Sequence, residues 1–147
     1  MDKLIKHKTE ISVVTEQKSL HVVAGIIFNE HQKILISRRP LNKTLGGYWE
    51  FPGGKLELGE SAYQTLQREL FEEINLNVMK AKAWKKINYV YPDMAVTLDL
   101  WKVESFNGDV KAMEGQDIAW VSAHSLEQYL FAPANQEVIK ELMHGCI

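Results

Sequence analysis

Three glutamates lie close together in the segment that follows a glycine-rich loop. Glu69, Glu72 and Glu73 are spaced so that a helix would place them on one arc of its surface. Like charges at this spacing destabilise an isolated helix by about 0.2–0.5 kcal/mol per pair. A divalent cation would reverse that repulsion, and carboxylate oxygens are the ligands that Mg²⁺ or Mn²⁺ prefers. The cluster therefore predicts a metal site, with a solvated acidic face as the alternative.

The residues around the cluster predict the helix that positions it. Ser61 is a good N-cap, and Gln64 three residues later completes a capping-box pattern. The run from Ala62 to Ile74 contains no glycine or proline, so it can remain helical throughout. Its apolar arc, next to the acids, consists of Ala62, Leu66, Leu70 and Ile74. The acids should therefore lie at the edge of the buried face.

The loop before this helix offers further groups that could bind a polyphosphate. Gly53 and Gly54 allow the backbone to approach a ligand closely, and a main-chain carbonyl there could bind a metal ion. Lys55 supplies a positive charge beside them. Triphosphate chemistry requires charge neutralisation and positioning more than covalent catalysis. These residue types, together with the three glutamates, are suited to that chemistry.

The composition of the chain is ordinary for a soluble globular domain. Of its 147 residues, 46% are apolar and 24% charged, and the formal net charge is −2. That charge argues against a nucleic-acid polymer as partner, but it allows a nucleotide. No run approaches the ~18 apolar residues that a membrane span requires. The single cysteine, Cys146, leaves no intrachain disulfide, which fits a reducing cytoplasm.

Segments on both sides of the main helix read as strands. We expect strands at 20–28, 33–37, 95–103 and 118–121. The first two should form a hairpin, and an extended piece at 48–51 should lead into the glycine loop. The stretch 77–91 mixes apolar and polar residues without a clear period.

The end of the chain predicts two helical pieces. A short one should cover 126–131, and a second helix should run over 136–143 with Asn135 as its N-cap. Residues 1–17 would be a tail or an added edge strand, and 18–147 a single domain. The order of elements predicts an α/β/α sandwich, in which a mixed sheet lies between helices.

The segment from Gly54 to Leu76 resembles the Nudix box, the signature of the Nudix hydrolases. Eight of the nine specified positions of G-x5-E-x7-R-E-U-x-E-E-x-G-U match, where U is a bulky aliphatic residue. Asn75 replaces the family's glycine. Because that position follows the helix end, where left-handed geometry is usual and asparagine is tolerated, we expect little cost.

The resemblance implies roles for the matching residues. The Nudix hydrolases act on nucleoside diphosphates linked to another moiety. By position, Glu69, Glu72 and Glu73 would bind Mg²⁺, with Mn²⁺ as a possible substitute, and Gly53 would add its carbonyl. Arg68 would orient the glutamates through a salt bridge with Glu60. Glu69 is also the candidate general base.

Further segments are similar to the MutT-type 8-oxo-dGTP diphosphatases within that family. The segments VAGIIFNE, ISRRP, WEFPGGKLELGE, YPD, VTLDLW, MEGQ and PANQEVIKEL occur in the same order. This likeness implies that Glu114 approaches the metals, that Arg39 and Phe51 contact the nucleotide, and that Asn135 hydrogen-bonds the purine base. The plainer alternatives are a loop glutamate, a surface cation at Arg39 and a helix cap at Asn135.

The function implied by the resemblance is Mg²⁺-dependent hydrolysis of 8-oxo-dGTP to 8-oxo-dGMP and pyrophosphate. Such an enzyme would be a cytoplasmic monomer that cleans the nucleotide pool and thereby limits mutation. Met94 stands where relatives can carry an arginine near the base, so we expect base discrimination to be weaker or built differently. CTP or a modified pyrimidine triphosphate is the alternative substrate. A nucleotide-binding module without catalysis is a third reading, which the complete set of acids disfavours.

Overall fold

A computed structural model of the chain describes residues 18–145. The expected tail or edge strand at 1–17 and the terminal thiol of Cys146 lie outside these residues. The strands are β1 (Lys18–Ile27), β2 (Ile34–Arg38), β3 (Trp49–Glu50), β4 (Gly53–Lys55), β5 (Asn77–Tyr91), β6 (Met94–Asn107) and β7 (Ile118–Val121). The helices are α1 (Ala62–Ile74) and α2 (Gln136–Met143), with 3-10 turns at Ala123–Gln128 and Pro133–Asn135.

The larger of the two sheets is mixed and has the strand order β4-β1-β6-β5. β1 runs parallel to β6 along its whole length, from Lys18 opposite Met94 to Ile27 opposite Val103. β4 and β5 are antiparallel to their neighbours. A smaller antiparallel sheet has the order β3-β2-β7. The predicted mixed sheet is therefore confirmed, with a second sheet beside it.

The mixed sheet is buried on both faces, because β1 carries apolar side chains on each. Val23 and Ile27 pack in one core cluster with the α1 residues Leu66, Leu70 and Ile74. In a second cluster, Ala24 and Ile26 of β1 pack with α2, through Val138, Ile139 and Leu142. The two helices thus cover opposite faces, and the predicted α/β/α sandwich is confirmed.

Both ends of α1 form as their local sequence predicts. The hydroxyl of Ser61 accepts a hydrogen bond from the backbone N–H of Gln64, and the Gln64 side chain accepts one from the N–H of Ser61. Asn75 adopts left-handed geometry with φ 56°, and its amide also donates to the Asp109 carbonyl. No helix between residues 18 and 145 is long and apolar enough to cross a bilayer.

The predicted hairpin between the first two strands is wrong. β1 and β2 lie in different sheets and share one isolated bridge, between Phe28 and Ile34. Both edges of β1 are already occupied, by β4 and β6, so β2 pairs elsewhere with β3 and β7. A sequence pattern indicates that a segment is apolar, but it does not indicate which strand will pair with each of its edges.

Two further predictions need correction. The short helical piece lies at Ala123–Gln128 instead of 126–131, and Tyr129, which follows it, is extended. The unassigned stretch forms the 15-residue strand β5. Register shifts after Val78, Lys80 and Ala83 interrupt its alternation, which hides the strand in the sequence.

We expect Leu70→Ala to destabilise the fold by about 2–5 kcal/mol, because the side chain is fully buried between α1 and β1. Urea denaturation would measure the change. Phe71→Ala is the matched control, since the neighbouring side chain is 53% exposed and should cost much less. Equal losses for the two variants would contradict the packing described here.

Candidate active site

A cavity of about 520 Å³ opens beside the glycine-rich loop. Five residues predicted from the sequence to act at a site line it: Arg39, Phe51, Gly53, Lys55 and Asn135. The rest of its lining is largely apolar and includes Leu20, Val22, Leu45, Tyr91, Met94 and Val96. The cavity therefore combines polar groups near the acidic helix with apolar side chains that suit a flat ring.

Arg68 organises two of the three clustered glutamates. Its Nε and Nη2 donate to the two carboxylate oxygens of Glu60, at 2.8 and 3.0 Å. Its Nη1 donates to Glu69 at 2.9 Å and to Glu72 at 3.4 Å. The predicted salt bridge with Glu60 is present, and this pairing holds the pKa of the Glu60 carboxyl below its ordinary value. Arg68 is thereby fixed between the loop and the helix.

Glu73 lies apart from Arg68 and is poorly compensated. Its carboxylate accepts a hydrogen bond from the backbone N–H of Gly53 at 3.1 Å. Burial raises the pKa of the Glu73 carboxyl to about 8, and repulsion from Glu50, Glu69 and Glu114 adds to the effect. Four carboxylates from different parts of the chain therefore act on one another at this point.

Glu69 is also partly removed from water. Burial raises the pKa of its carboxyl, repulsion from Glu72 and Glu114 contributes, and the hydrogen bond from Arg68 opposes the shift. The predicted position of the acids at the margin of the core is confirmed for Glu69 and Glu73. The side chain of Glu72 is more exposed, at 56%.

The two loop glycines allow this close packing. A Cβ atom on Gly54 would overlap the carboxyl group of Glu69, and one on Gly53 would overlap the carbonyl of Val23 in β1. A side chain at Gly53 would push β4 away from the sheet, and one at Gly54 would displace the carboxyl group of Glu69. The expected close approach of the backbone is therefore observed.

Glu114 reaches the cluster on a loop that is docked on the end of α1. A second cavity, of about 230 Å³, is bordered by Glu73, Glu114, Glu50 and Arg39. Gln116 holds the loop: its amide nitrogen donates to the Glu73 carbonyl and its oxygen accepts from the Glu114 N–H, both at 3.0 Å. The MEGQ segment pointed to this region, but nothing in its pattern indicated that Gln116 bridges the loop and the helix.

Glu50 is a site residue that sequence reasoning missed. Arg39 donates from Nη1 to the Glu50 carboxylate at 3.3 Å and from Nε to the Thr44 carbonyl at 2.7 Å. Burial raises the pKa of the Glu50 carboxyl, and the nearby Arg39 partly offsets this. Both residues border both cavities. Glu50 precedes Phe51 in the chain, and only the packing of β3 brings it to Glu73.

Asn135 presents its amide to the larger cavity. The residue is only 6% exposed, yet its side chain forms no hydrogen bond within the described part of the chain. Asn135 holds the predicted N-cap position of α2, but its side chain makes no capping hydrogen bond. A buried amide with both donor and acceptor capacity is left available to a ligand.

The other two predicted substrate contacts differ in character. Phe51 is buried in the core, where its ring packs on Phe131 with centroids 5.2 Å apart, and it also borders the cavity. Lys55 is exposed and borders the cavity beside Gly53 and Gly54. The first can contact an apolar group, whereas the second can neutralise an anion.

The acidic cluster suits a divalent cation by its chemistry. Between residues 18 and 145, no three acidic or histidine side chains converge into a ready-made metal site, and Arg68 instead bonds Glu69 and Glu72. The donors present are nevertheless hard carboxylate oxygens with too little compensating charge, as the raised pKa of Glu73 reflects. A cation would relieve this repulsion, so the residues fit such a group.

Comparison with known proteins finds a family and close relatives. Residues 23–141 match the NUDIX domain family. The chain is 39% identical over 125 residues to an 8-oxo-dGTP diphosphatase of Escherichia coli K12, covering 85% of this chain and 97% of the relative. It is 35% identical over 126 residues to a CTP pyrophosphohydrolase of the same strain, covering 86% and 93%. A solved structure from work on MutT of Aliivibrio salmonicida and Vibrio cholerae has a TM-score of 0.75 and 41% identity, covering 87% and 99%.

We expect Glu73→Gln to stabilise the metal-free protein at pH 8 and to have little effect at pH 4.5. Because burial raises the pKa of Glu73 from 4.5 to about 8, the folded state binds more protons than the unfolded state across this range. The parent therefore loses stability as pH rises through it. Glutamine keeps the acceptor for Gly53 without the charge. Thermal melting in EDTA at both pH values would measure the difference.

The control for this measurement is Glu72→Gln, on the same helix but with a more exposed side chain. It should change the melting temperature little at either pH. A difference between Glu73→Gln and the parent that did not grow from pH 4.5 to pH 8 would contradict the assigned burial of Glu73.

Proposed function

The chain belongs to the Nudix hydrolase family, and we propose that it hydrolyses 8-oxo-dGTP to 8-oxo-dGMP and pyrophosphate with the aid of Mg²⁺. One observation carries this proposal: the cavity that holds the unbonded amide of Asn135 extends to Gly53 and Lys55 beside the acidic helix. A nucleotide bound there could pair its base with Asn135 and bring its phosphates to Gly53 and Lys55. The similarity to the 8-oxo-dGTP diphosphatase of Escherichia coli supports the choice of substrate.

Nudix hydrolases depend on a divalent metal, for which Mg²⁺ is the proposed ion and Mn²⁺ a substitute. The proposed ligands are Glu69, Glu72, Glu73, Glu114 and the carbonyl of Gly53. When bound, the metal would withdraw charge from the phosphate oxygens and lower the pKa of an attacking water. Arg68 orients the carboxylates of Glu69 and Glu72 through its two hydrogen bonds.

The remaining charged groups act on the substrate and on the water. Lys55 and Arg39 border the cavity and would offset the negative charge of the phosphates. Glu69 would accept a proton from the attacking water at its carboxylate. Partial burial raises the pKa of Glu69, which makes it a stronger base than an exposed glutamate.

The base would be recognised by Asn135 and by the apolar side chains that line the cavity. The Asn135 amide can donate to O6 of 8-oxoguanine and accept from its N7–H, which unmodified guanine lacks. Phe51 and the apolar wall would pack against the ring. We propose a monomer that acts on the free nucleotide pool of the cytoplasm.

A panel of nucleotides tests the substrate. With Mg²⁺ present, we expect release of monophosphate and pyrophosphate, with a kcat/KM for 8-oxo-dGTP well above that for dGTP. Equal values for these two nucleotides would contradict the proposed substrate. Glu73→Gln should lower turnover at least about a hundredfold, since loss of partners even in the outer shell of a metal costs 10–100-fold.

That variant also separates the enzyme from a module that only binds nucleotide. A folded Glu73→Gln protein with unchanged turnover would remove Glu73 from the site. A parent protein that bound nucleotides but released no product with any member of the panel would instead support the binding module.

A pyrimidine triphosphate is the second candidate substrate, favoured by the similarity to a CTP pyrophosphohydrolase and by Met94 in the cavity wall. Asn135→Ala distinguishes the two. If an oxidised purine is the substrate, the variant should lose kcat/KM for 8-oxo-dGTP selectively, because the amide pairs with that base. A comparable loss for CTP and 8-oxo-dGTP would mean that Asn135 does not read the purine.

A further inference from the structure

The segment that carries Asn135 is a tight turn that borders the cavity of about 520 Å³. The turn Pro133–Asn135 is closed by a hydrogen bond from the Asn135 N–H to the Ala132 carbonyl, at 3.0 Å. The preceding Ala134 is also buried and borders the cavity. The position of the Asn135 amide therefore depends on what holds this turn against the rest of the protein.

Tyr91 holds it. The phenolic oxygen accepts a hydrogen bond from the backbone N–H of Ala134 at 3.1 Å, and both residues are buried. Tyr91 is the last residue of β5, so the bond joins the turn to the end of the mixed sheet. The two residues also share a small core cluster with Val96. A second tie lies further along, where the Gln136 amide donates to the Phe131 carbonyl at 3.2 Å.

The hydrogen bond from the Ala134 N–H to Tyr91 can fix the position of the neighbouring Asn135 side chain. A buried N–H that loses its acceptor tends to move until it finds another, because an unpaired buried donor is costly. Such a movement would shift Asn135, the next residue. An amide that pairs with two atoms of a base tolerates little displacement, since hydrogen bonds weaken steeply outside their normal distance and angle.

We propose that Tyr91 is a positioning residue for base discrimination: its hydroxyl holds Ala134, and so sets the Asn135 amide for pairing with an oxidised purine. This inference rests on the proposed function, because it assumes that Asn135 reads the base. Without this hydrogen bond, Tyr91 would be regarded only as a residue whose ring lines the cavity. Tyr91→Phe keeps the ring and removes the oxygen that accepts the hydrogen bond from Ala134.

The test measures binding of the reaction products, for which no turnover or metal is required. Isothermal titration of the full-length protein with 8-oxo-dGMP and with dGMP gives a preference ratio. We expect Tyr91→Phe to lower that ratio by roughly fivefold to a hundredfold, since displacements of about 1 Å can cost 10²-fold. Tyr89→Phe is the matched control, because its ring packs on that of Tyr91 at 4.7 Å, and it should keep the parental ratio.

A double-mutant cycle distinguishes positioning from general damage. Asn135→Ala should abolish the preference, and adding Tyr91→Phe to it should change the ratio no further. A parental ratio in Tyr91→Phe, with a collapsed ratio in Asn135→Ala, would overturn this inference and leave the proposed function intact. An unchanged ratio in Asn135→Ala would overturn this inference together with the proposed role of Asn135, whereas a parent protein without any preference would contradict the proposed substrate. Thermal melting of Tyr91→Phe verifies that the variant is folded.

Discussion

Repulsion among carboxylates in a poorly hydrated place is the constraint on which the rest of the structure depends. Glu69 and Glu73 come from α1, Glu50 from β3 and Glu114 from a distant loop, and each influences the ionisation of another. Nothing in their own sequence favours such crowding, since like charges at close range oppose folding. The surrounding packing must hold them there, and a bound cation would offset the repulsion.

The fold meets this constraint with a few fixed contacts. Arg68 and Arg39 supply partial compensation and are themselves held by Glu60 and by the Thr44 carbonyl. The two adjacent glycines of β4 let the strand lie against both the sheet and the helix. A helix buried along one face and capped at both ends gives the acids a rigid support. Rigid support is what positioning catalysis requires, because small displacements of charged groups cost much of the rate.

Features set by neighbouring residues could be predicted from the sequence, and features set by distant ones could not. The capping box at Ser61 and the left-handed Asn75 depend on a few adjacent positions, and both form as expected. The pairing of β1 with β6 joins strands that are far apart in the sequence, and no local pattern indicates which distant strand will be the partner. The same holds for Glu50, whose place beside Glu73 follows from tertiary packing. The metal ligands and substrate contacts themselves stay predictions.

The parallel pairing of β1 with β6 also determines when the acidic helix gains its support during synthesis. β1 is made well before its partner strand, β6, and before α2, the helix that covers its second face. Until they have been made, the apolar strand beneath α1 lacks part of its cover, and such long-range contacts form slowly. A growing chain therefore exposes the apolar surface of β1 to chaperones and proteases until β6 and α2 are available, and the acids of α1 lack a rigid support until then.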